Sequence, residues 1–134
     1  MKLIKSIFII DDDKVTVFGT KKLLSNAVKC DDISSYENGE IAINKIKEII
    51  KNKTDLPQII FLDLNMPIMD GWEFLEEFIE LDIPKPLAIN IVTSSINKED
   101  RDKSKNYSQR THHTITYNTK PLSKEQIIKV TINQ

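Results

Sequence analysis

Cysteine is all but missing from this chain: Cys30 stands alone, which excludes an intramolecular disulfide and a zinc-type cysteine cluster. A lone thiol of this kind is expected to be a small, half-buried packing residue. Long apolar runs are missing too. The start, Met1-Lys2-Leu3-Ile4-Lys5, has no stretch that could serve as a signal peptide, and no later run could span a bilayer. The expected setting is therefore cytoplasmic, with no membrane partner. Charge of one sign is also lacking: the formal net charge is -1, so there is no basic field to attract nucleic acid. No repeat, low-complexity tract or interdomain linker interrupts the chain.

What is present is the balance of a folded domain, with 40% hydrophobic and 29% charged residues. A length of 134 residues suits one core and not two, so residues 1–134 are expected to form a single domain with no effector domain. The apolar residues fall into short blocks: Ile7–Ile10, Ile33–Tyr36, Ile59–Leu62, Leu87–Val92 and Thr114–Tyr117. Runs of this length without strict alternation predict strands buried on both faces of a parallel sheet. Between them, Ala42, Ile46, Ile49 and Ile50 recur at helical spacing, as do Leu75, Phe78 and Ile79. Asn97 can cap a helix starting near Lys98, although the stretch 97–110 is very polar. Strand–helix alternation over five β–α units implies right-handed crossovers and helices on both faces of the sheet.

The chemistry-bearing residues come directly after the strands, at the carboxyl ends where open α/β sheets bind ligands. Asp11-Asp12-Asp13 follows the first strand, Asp63 the third, Thr93 the fourth and Lys120-Pro121 the fifth. Carboxylates that converge repel one another unless a cation joins them, and Mg²⁺ suits a set of carboxylates, a carbonyl and waters. Asp13, furthest from its strand, is expected to cap the following helix. Acids for a metal, an aspartate nucleophile, a hydroxyl and an ammonium together match what phosphoryl transfer requires.

Four blocks then resemble a known family in order along the chain: Ile9-Ile10-Asp11-Asp12; Asp63-Leu64-Asn65-Met66-Pro67 with Asp70-Gly71; Thr93-Ser94; and Tyr117-Asn118-Thr119-Lys120-Pro121. The sequence resembles a stand-alone response-regulator receiver domain of the chemotaxis-regulator kind. That resemblance implies a flavodoxin-like, doubly wound, five-stranded parallel sheet of order 2-1-3-4-5. It implies Asp63 as phosphoacceptor, with Mg²⁺ or Mn²⁺ held by Asp11, Asp12, Asp63 and the backbone carbonyl of Asn65. Thr93 and Lys120 would contact the phosphoryl group, Thr93 and Tyr117 would form a switch, and Pro121 would follow a cis peptide bond. The implied partners are a sensor histidine kinase or histidine phosphotransfer protein and a downstream protein, met through the fourth helix, fifth strand and fifth helix. The protein would be a monomer or weak homodimer, and not a conventional enzyme: it would catalyse only its own phosphorylation and slow dephosphorylation.

Two departures stand out. Lys51–Asp55 lengthens the second helix or its loop, and the segment before Tyr117 is unusually polar, with His112 and His113 expected to be surface or loop residues. Two competing functions are an aspartate-nucleophile phosphatase and an interaction module without phosphorylation. The first needs an acid two residues after the nucleophile, where this chain has Asn65. The second is favoured by a missing acid or lysine, and neither is missing.

Overall fold

The computed structural model describes residues 2–132, so Met1, Asn133 and Gln134 lie outside the described residues. Seven strands and five helices follow in the order β1 (Lys2–Leu3), β2 (Ser6–Ile10), α1 (Lys14–Ala27), β3 (Val28–Lys29), β4 (Asp32–Tyr36), α2 (Gly39–Asn52), β5 (Ile59–Leu62), α3 (Gly71–Ile79), β6 (Ala88–Thr93), α4 (Lys98–Ser108), β7 (Thr114–Thr119) and α5 (Lys124–Thr131). The main sheet has five parallel strands in the order β4-β2-β5-β6-β7. Counting only these strands along the chain, that is the flavodoxin-like order 2-1-3-4-5. The two-residue strands β1 and β3 pair with each other in a separate parallel ribbon. Runs this short carry no periodic pattern, which is why the sequence does not announce them.

Strand alternation sends side chains to opposite faces of the sheet. Phe8, Ile10, Ile60, Leu62, Ile89 and Ile91 pack against α2, α3 and α4, with Phe74 and Phe78 of α3 among the fully buried side chains. Ile7, Ile9, Ile59, Phe61 and Val92 pack against Leu24 of α1 and Ile127 of α5. Both faces are covered, so β2 and β5 are buried at every position.

Helix ends follow local chemistry. Asn38, Asp70, Asn97 and Ser123 each accept a backbone N–H of the helix that follows, and Asp70–Glu73 and Ser123–Gln126 complete reciprocal capping boxes. The Lys51–Asp55 extension ends α2: Lys53 adopts the left-handed conformation, φ 57°, and its N–H returns to Ile49 and Ile50 carbonyls.

The polar helix α4 forms from the cap at Asn97, as its sequence predicts, but it is seated in an unusual way. Ser104 and Tyr107 are its buried residues. Tyr107 stacks on Trp72 of α3 at 5.6 Å between ring centroids, and its hydroxyl donates to Glu76 at 2.7 Å. Arg110 grips the same carboxylate with its two terminal guanidinium nitrogens, at 2.8 and 3.2 Å.

His113 lies in the loop before β7, as expected, but it is not at the surface. It is 4% exposed, its ring lies against Phe78, and its Nδ1 accepts the Leu87 N–H at 2.8 Å. The backbone of Leu87 needed an acceptor at the entry to β6, and the imidazole supplies one. His112 is exposed, with Nε2 2.9 Å from the Ile83 carbonyl oxygen.

Candidate functional site

Backbone ladders that run one residue past the strands bring the site together. The Asp11 N–H donates to the Tyr36 carbonyl at 3.0 Å, and the Asp63 N–H to the Ile10 carbonyl at 2.9 Å. Register pairs Ile10 with Leu62, so Asp11 and Asp63 sit side by side at the ends of β2 and β5. One ligand oxygen from each of Asp11, Asp12 and Asp63 lies within 4.8 Å of the others. Asp11 and Asp63 are buried, while Asp12 is exposed.

Lys120 comes from the other side. Its N–H donates to the Thr93 carbonyl at 2.8 Å, and the Lys120–Pro121 bond is cis. Its ammonium lies 3.0 Å from Asp11 Oδ2 and 3.6 Å from Asp63 Oδ2. Thr93, fully buried, lies one residue beyond the level of Asp63, since Leu62 pairs with Ile91. Tyr117 is three residues before Lys120 on β7, and its hydroxyl donates to the Ser95 carbonyl at 2.8 Å. Thr93 and Tyr117 are thus joined through Ser95, a residue to which the sequence alone assigns no role.

Asp13 divides its work between cap and site. Its carboxylate accepts the Val15 N–H at 3.0 Å and the Thr16 hydroxyl at 2.8 Å, and its own N–H donates to Asp11 Oδ1 at 2.8 Å. Asn65 lies in the exposed loop between β5 and α3. That loop closes through a tight turn in which the Met69 N–H donates to the Pro67 carbonyl at 2.8 Å across Ile68, φ 69°. Gly71 ends it with no room to spare. A Cβ there would strike the Asp63 carbonyl oxygen and approach Leu64 Cα to 2.9 Å, so a glycine is required for α3 to start this close beneath the aspartate.

The electrostatics set Asp63 apart. Burial first, then the charge of Asp11, push its carboxyl up to about 6, against the pull of Lys120 and of the Leu64 and Asn65 N–H groups. Burial likewise raises Asp11. Burial works against the charge of Lys120, yet its bonds to Asp11 and its attraction to both aspartates hold the ammonium above its ordinary value. The Lys120 ammonium faces the two buried carboxylates, Asp11 and Asp63, and the exposed Asp12 adds a third beside them, so acids outnumber the ammonium at the site. An all-oxygen donor set with that excess fits a hard divalent cation.

Beside the site, α1 exposes two large apolar side chains, Val15 at 79% and Phe18 at 70%. A cleft of about 250 Å³ lies between Phe18 and the strand ends, lined by Asp11, Asp12, Lys14, Phe18, Lys21 and Tyr36 among others. The exposed Phe18 is a second feature the sequence did not flag, because an apolar residue on a helix reads as core until the helix is placed.

Comparison with known proteins agrees with this geometry. The family model described as "Response regulator receiver domain" matches residues 7–132. The nitrate/nitrite response regulator protein NarL of Escherichia coli is 33% identical over 97 residues, 72% of this chain and 40% of that protein. The sensor histidine kinase CheAY of Helicobacter pylori is 34% identical over 83 residues, 62% of this chain and 10% of that protein. The chain thus spans well under half the length of these curated relatives. Among solved structures, a two-component response regulator from Cytophaga hutchinsonii superposes with TM-score 0.82 at 27% identity, covering 100% of both chains. A CheY in complex with CheX from Borrelia burgdorferi shares the fold at TM-score 0.70 and 24% identity, covering 96% of this chain and 87% of that one. This chain belongs to the response regulator receiver domain family of two-component signalling.

Proposed function

We propose that this domain is a phosphorylation-dependent switch whose acceptor is Asp63. The observation that carries the reading is the convergence of Asp11, Asp12 and Asp63 within 4.8 Å, two of them buried, against the single ammonium of Lys120.

In the proposed reaction an Asp63 carboxylate oxygen attacks the phosphorus of a phosphohistidine on a kinase or phosphotransfer protein. The P–N bond breaks, and the imidazole nitrogen leaves with the electron pair and takes up a proton. Asp11, Asp12, Asp63 and the Asn65 carbonyl would hold Mg²⁺ or Mn²⁺, which when bound supplies positive charge to the phosphoryl oxygens. Lys120 pairs with a phosphoryl oxygen and Thr93 donates its hydroxyl hydrogen to another. Water later attacks the acyl phosphate, which restores the Asp63 carboxylate and releases inorganic phosphate. This is self-modification and not turnover of a substrate. Asn65, two residues after Asp63, has no acid–base chemistry, which argues against a phosphatase.

The donor protein seats on α1, where Val15 and Phe18 present apolar surface beside the site and Lys14 and Lys21 flank it. The phosphorylated state signals through the α4–β7–α5 surface to another protein, since Tyr117 lies on β7 and bonds the loop that follows Thr93.

Incubation with acetyl phosphate and Mg²⁺, followed by intact mass measurement, tests the acceptor. Wild type gains one phosphoryl group, and an Asp63→Asn variant that gained it equally would sink the assignment. Phe18→Asp keeps the acetyl phosphate rate; a variant that lost it would place Phe18 in the site and not on a docking face.

A further inference from the structure

The loop that carries Thr93 is held by a set of contacts that neither the metal cluster nor the phosphoryl contacts account for. Thr93 Oγ1 accepts the Ser95 N–H at 3.3 Å. A hydroxyl has one hydrogen to give and two lone pairs, so this bond occupies its acceptor side and leaves its hydrogen available. Ser95 is itself tied on both sides. Its Oγ donates to Asp100 Oδ2 at 2.6 Å and accepts the Asn97 N–H at 3.2 Å, while its carbonyl accepts the Tyr117 hydroxyl at 2.8 Å. The ring of Tyr117 is covered in turn by the Arg101 guanidinium, 4.9 Å from its centroid. The first turn of α4 therefore reaches back with two adjacent charged residues, Asp100 to Ser95 and Arg101 to Tyr117. One hold reaches Ser95 directly and the other through Tyr117, and the Ser95 N–H is bonded to Thr93 Oγ1.

We propose that Asp100 and Arg101 are positioning residues: they favour the arrangement of the Thr93–Asn97 loop and Tyr117 in which the Thr93 hydroxyl can give its hydrogen to the incoming oxygen, an arrangement that phosphorylation then makes dominant. The inference rests on the phosphoacceptor reading of Asp63. Preset donors stabilise developing charge without reorganising during the reaction, so loosening them lowers the fraction of molecules ready to react. Neither residue touches the reacting atoms, and α4 has little apolar surface with which to fix the loop by packing alone. The competing explanation is helix capping, since Asp100 lies in the first turn of α4 beside the cap at Asn97. Capping predicts a loss of stability and nothing more.

The test uses the full chain, acetyl phosphate and Mg²⁺, with three measurements on each variant: phosphorylation rate by intact mass, Mg²⁺ affinity by thermal shift, and the urea midpoint. Asp100→Ala and Arg101→Ala are expected to take up the phosphoryl group about fivefold more slowly, with Mg²⁺ affinity unchanged. Asp100→Asn, which can still accept the Ser95 hydroxyl, and Arg101→Lys, which keeps a cation over Tyr117, are expected to recover at least about half the wild-type rate. Alanine variants that react at the wild-type rate, even if destabilised, reduce the contacts to capping and overturn the proposal. So does a loss of Mg²⁺ affinity in step with rate, which would mean general damage to the site. If wild type itself gains no phosphoryl group, the phosphoacceptor reading fails first and this inference with it.

Discussion

Ile68 shows what a single residue gives up to the loop beside Asp63. Its φ of 69° places a β-branched side chain in the left-handed region, at the centre of a three-residue turn of the strained hand. The side chain is 73% exposed, so packing returns little for that strain. Left-handed backbone costs a side chain with a Cβ about 1–2 kcal/mol, of which glycine's extra freedom in the unfolded chain cancels part. Ile68→Gly is therefore expected to stabilise the domain by roughly 0.5–1 kcal/mol. Urea unfolding checks it, and a lowered midpoint would show that the turn is not strained. At this scale the sequence spoke clearly where chemistry follows a strand: Asp11, Asp12, Asp63, Thr93 and Lys120 could all be picked from their places after apolar runs. It was silent on Ser95, Asp100 and Arg101, because their roles arise from which loop and strand α4 comes to rest against.

Helix α1 combines an exposed apolar face with a weak point at its centre. Gly19 lies mid-helix, and a Cβ built there meets no atom within 4 Å. Glycine costs a helix interior about 1 kcal/mol relative to alanine, so Gly19→Ala is expected to raise stability by roughly that amount, or about 3 °C in melting temperature. A fall instead would mean that α1 needs the freedom of that glycine. The central strands β2, β5 and β6 were legible because buried parallel strands are written as continuous apolar blocks, whereas the partly buried edge strands β4 and β7 gave a weaker, more polar signal. Helices α2 and α3 were legible from their stripes, and α4 from Asn97. What held α4 down was not legible. Its anchors, Tyr107 on Trp72 and Arg110 on Glu76, are cross-element pairs separated by more than thirty residues in sequence, and a poor stripe conceals them. The β1–β3 ribbon was unreadable for a simpler reason, since two residues have no period.

For the molecule as a whole, the buried imidazole of His113 predicts how stability responds to acid. Burial first, and then the neighbouring His112, lower its pKa from 6.5 to about 4. Protonation would also place a hydrogen on the Nδ1 that now accepts the Leu87 N–H. The unfolded chain binds this proton from about pH 6.5 and the folded chain only near pH 4, so the folded state loses stability as pH falls through that window. The loss is on the order of 3 kcal/mol. Asp63 acts oppositely: its raised pKa makes protonation favour the folded form as pH falls from about 6. Urea midpoints of His113→Asn and its parent, both carrying Asp63→Asn, isolate the histidine. The parent should lose more stability than His113→Asn between pH 7 and 4.5, and equal slopes would refute the assignment. The sequence marked His113 as a surface or loop residue; it is in a loop, but polarity along the chain does not reveal that Phe78 and Leu87 arrive from elsewhere to cover it.

The chain's one tryptophan gives these events a natural optical signal. Trp72 begins α3 directly after Gly71, the residue pressed against the Asp63 carbonyl, and its indole is stacked on Tyr107 with the Lys103 ammonium 4.9 Å from its ring. An indole excited state is sensitive to a nearby cation and to a stacked ring, so lifting α4 away from α3 would change both at once. Emission from the unlabelled protein therefore reads the seating of α4, at a position one residue removed from the glycine that packs beneath Asp63.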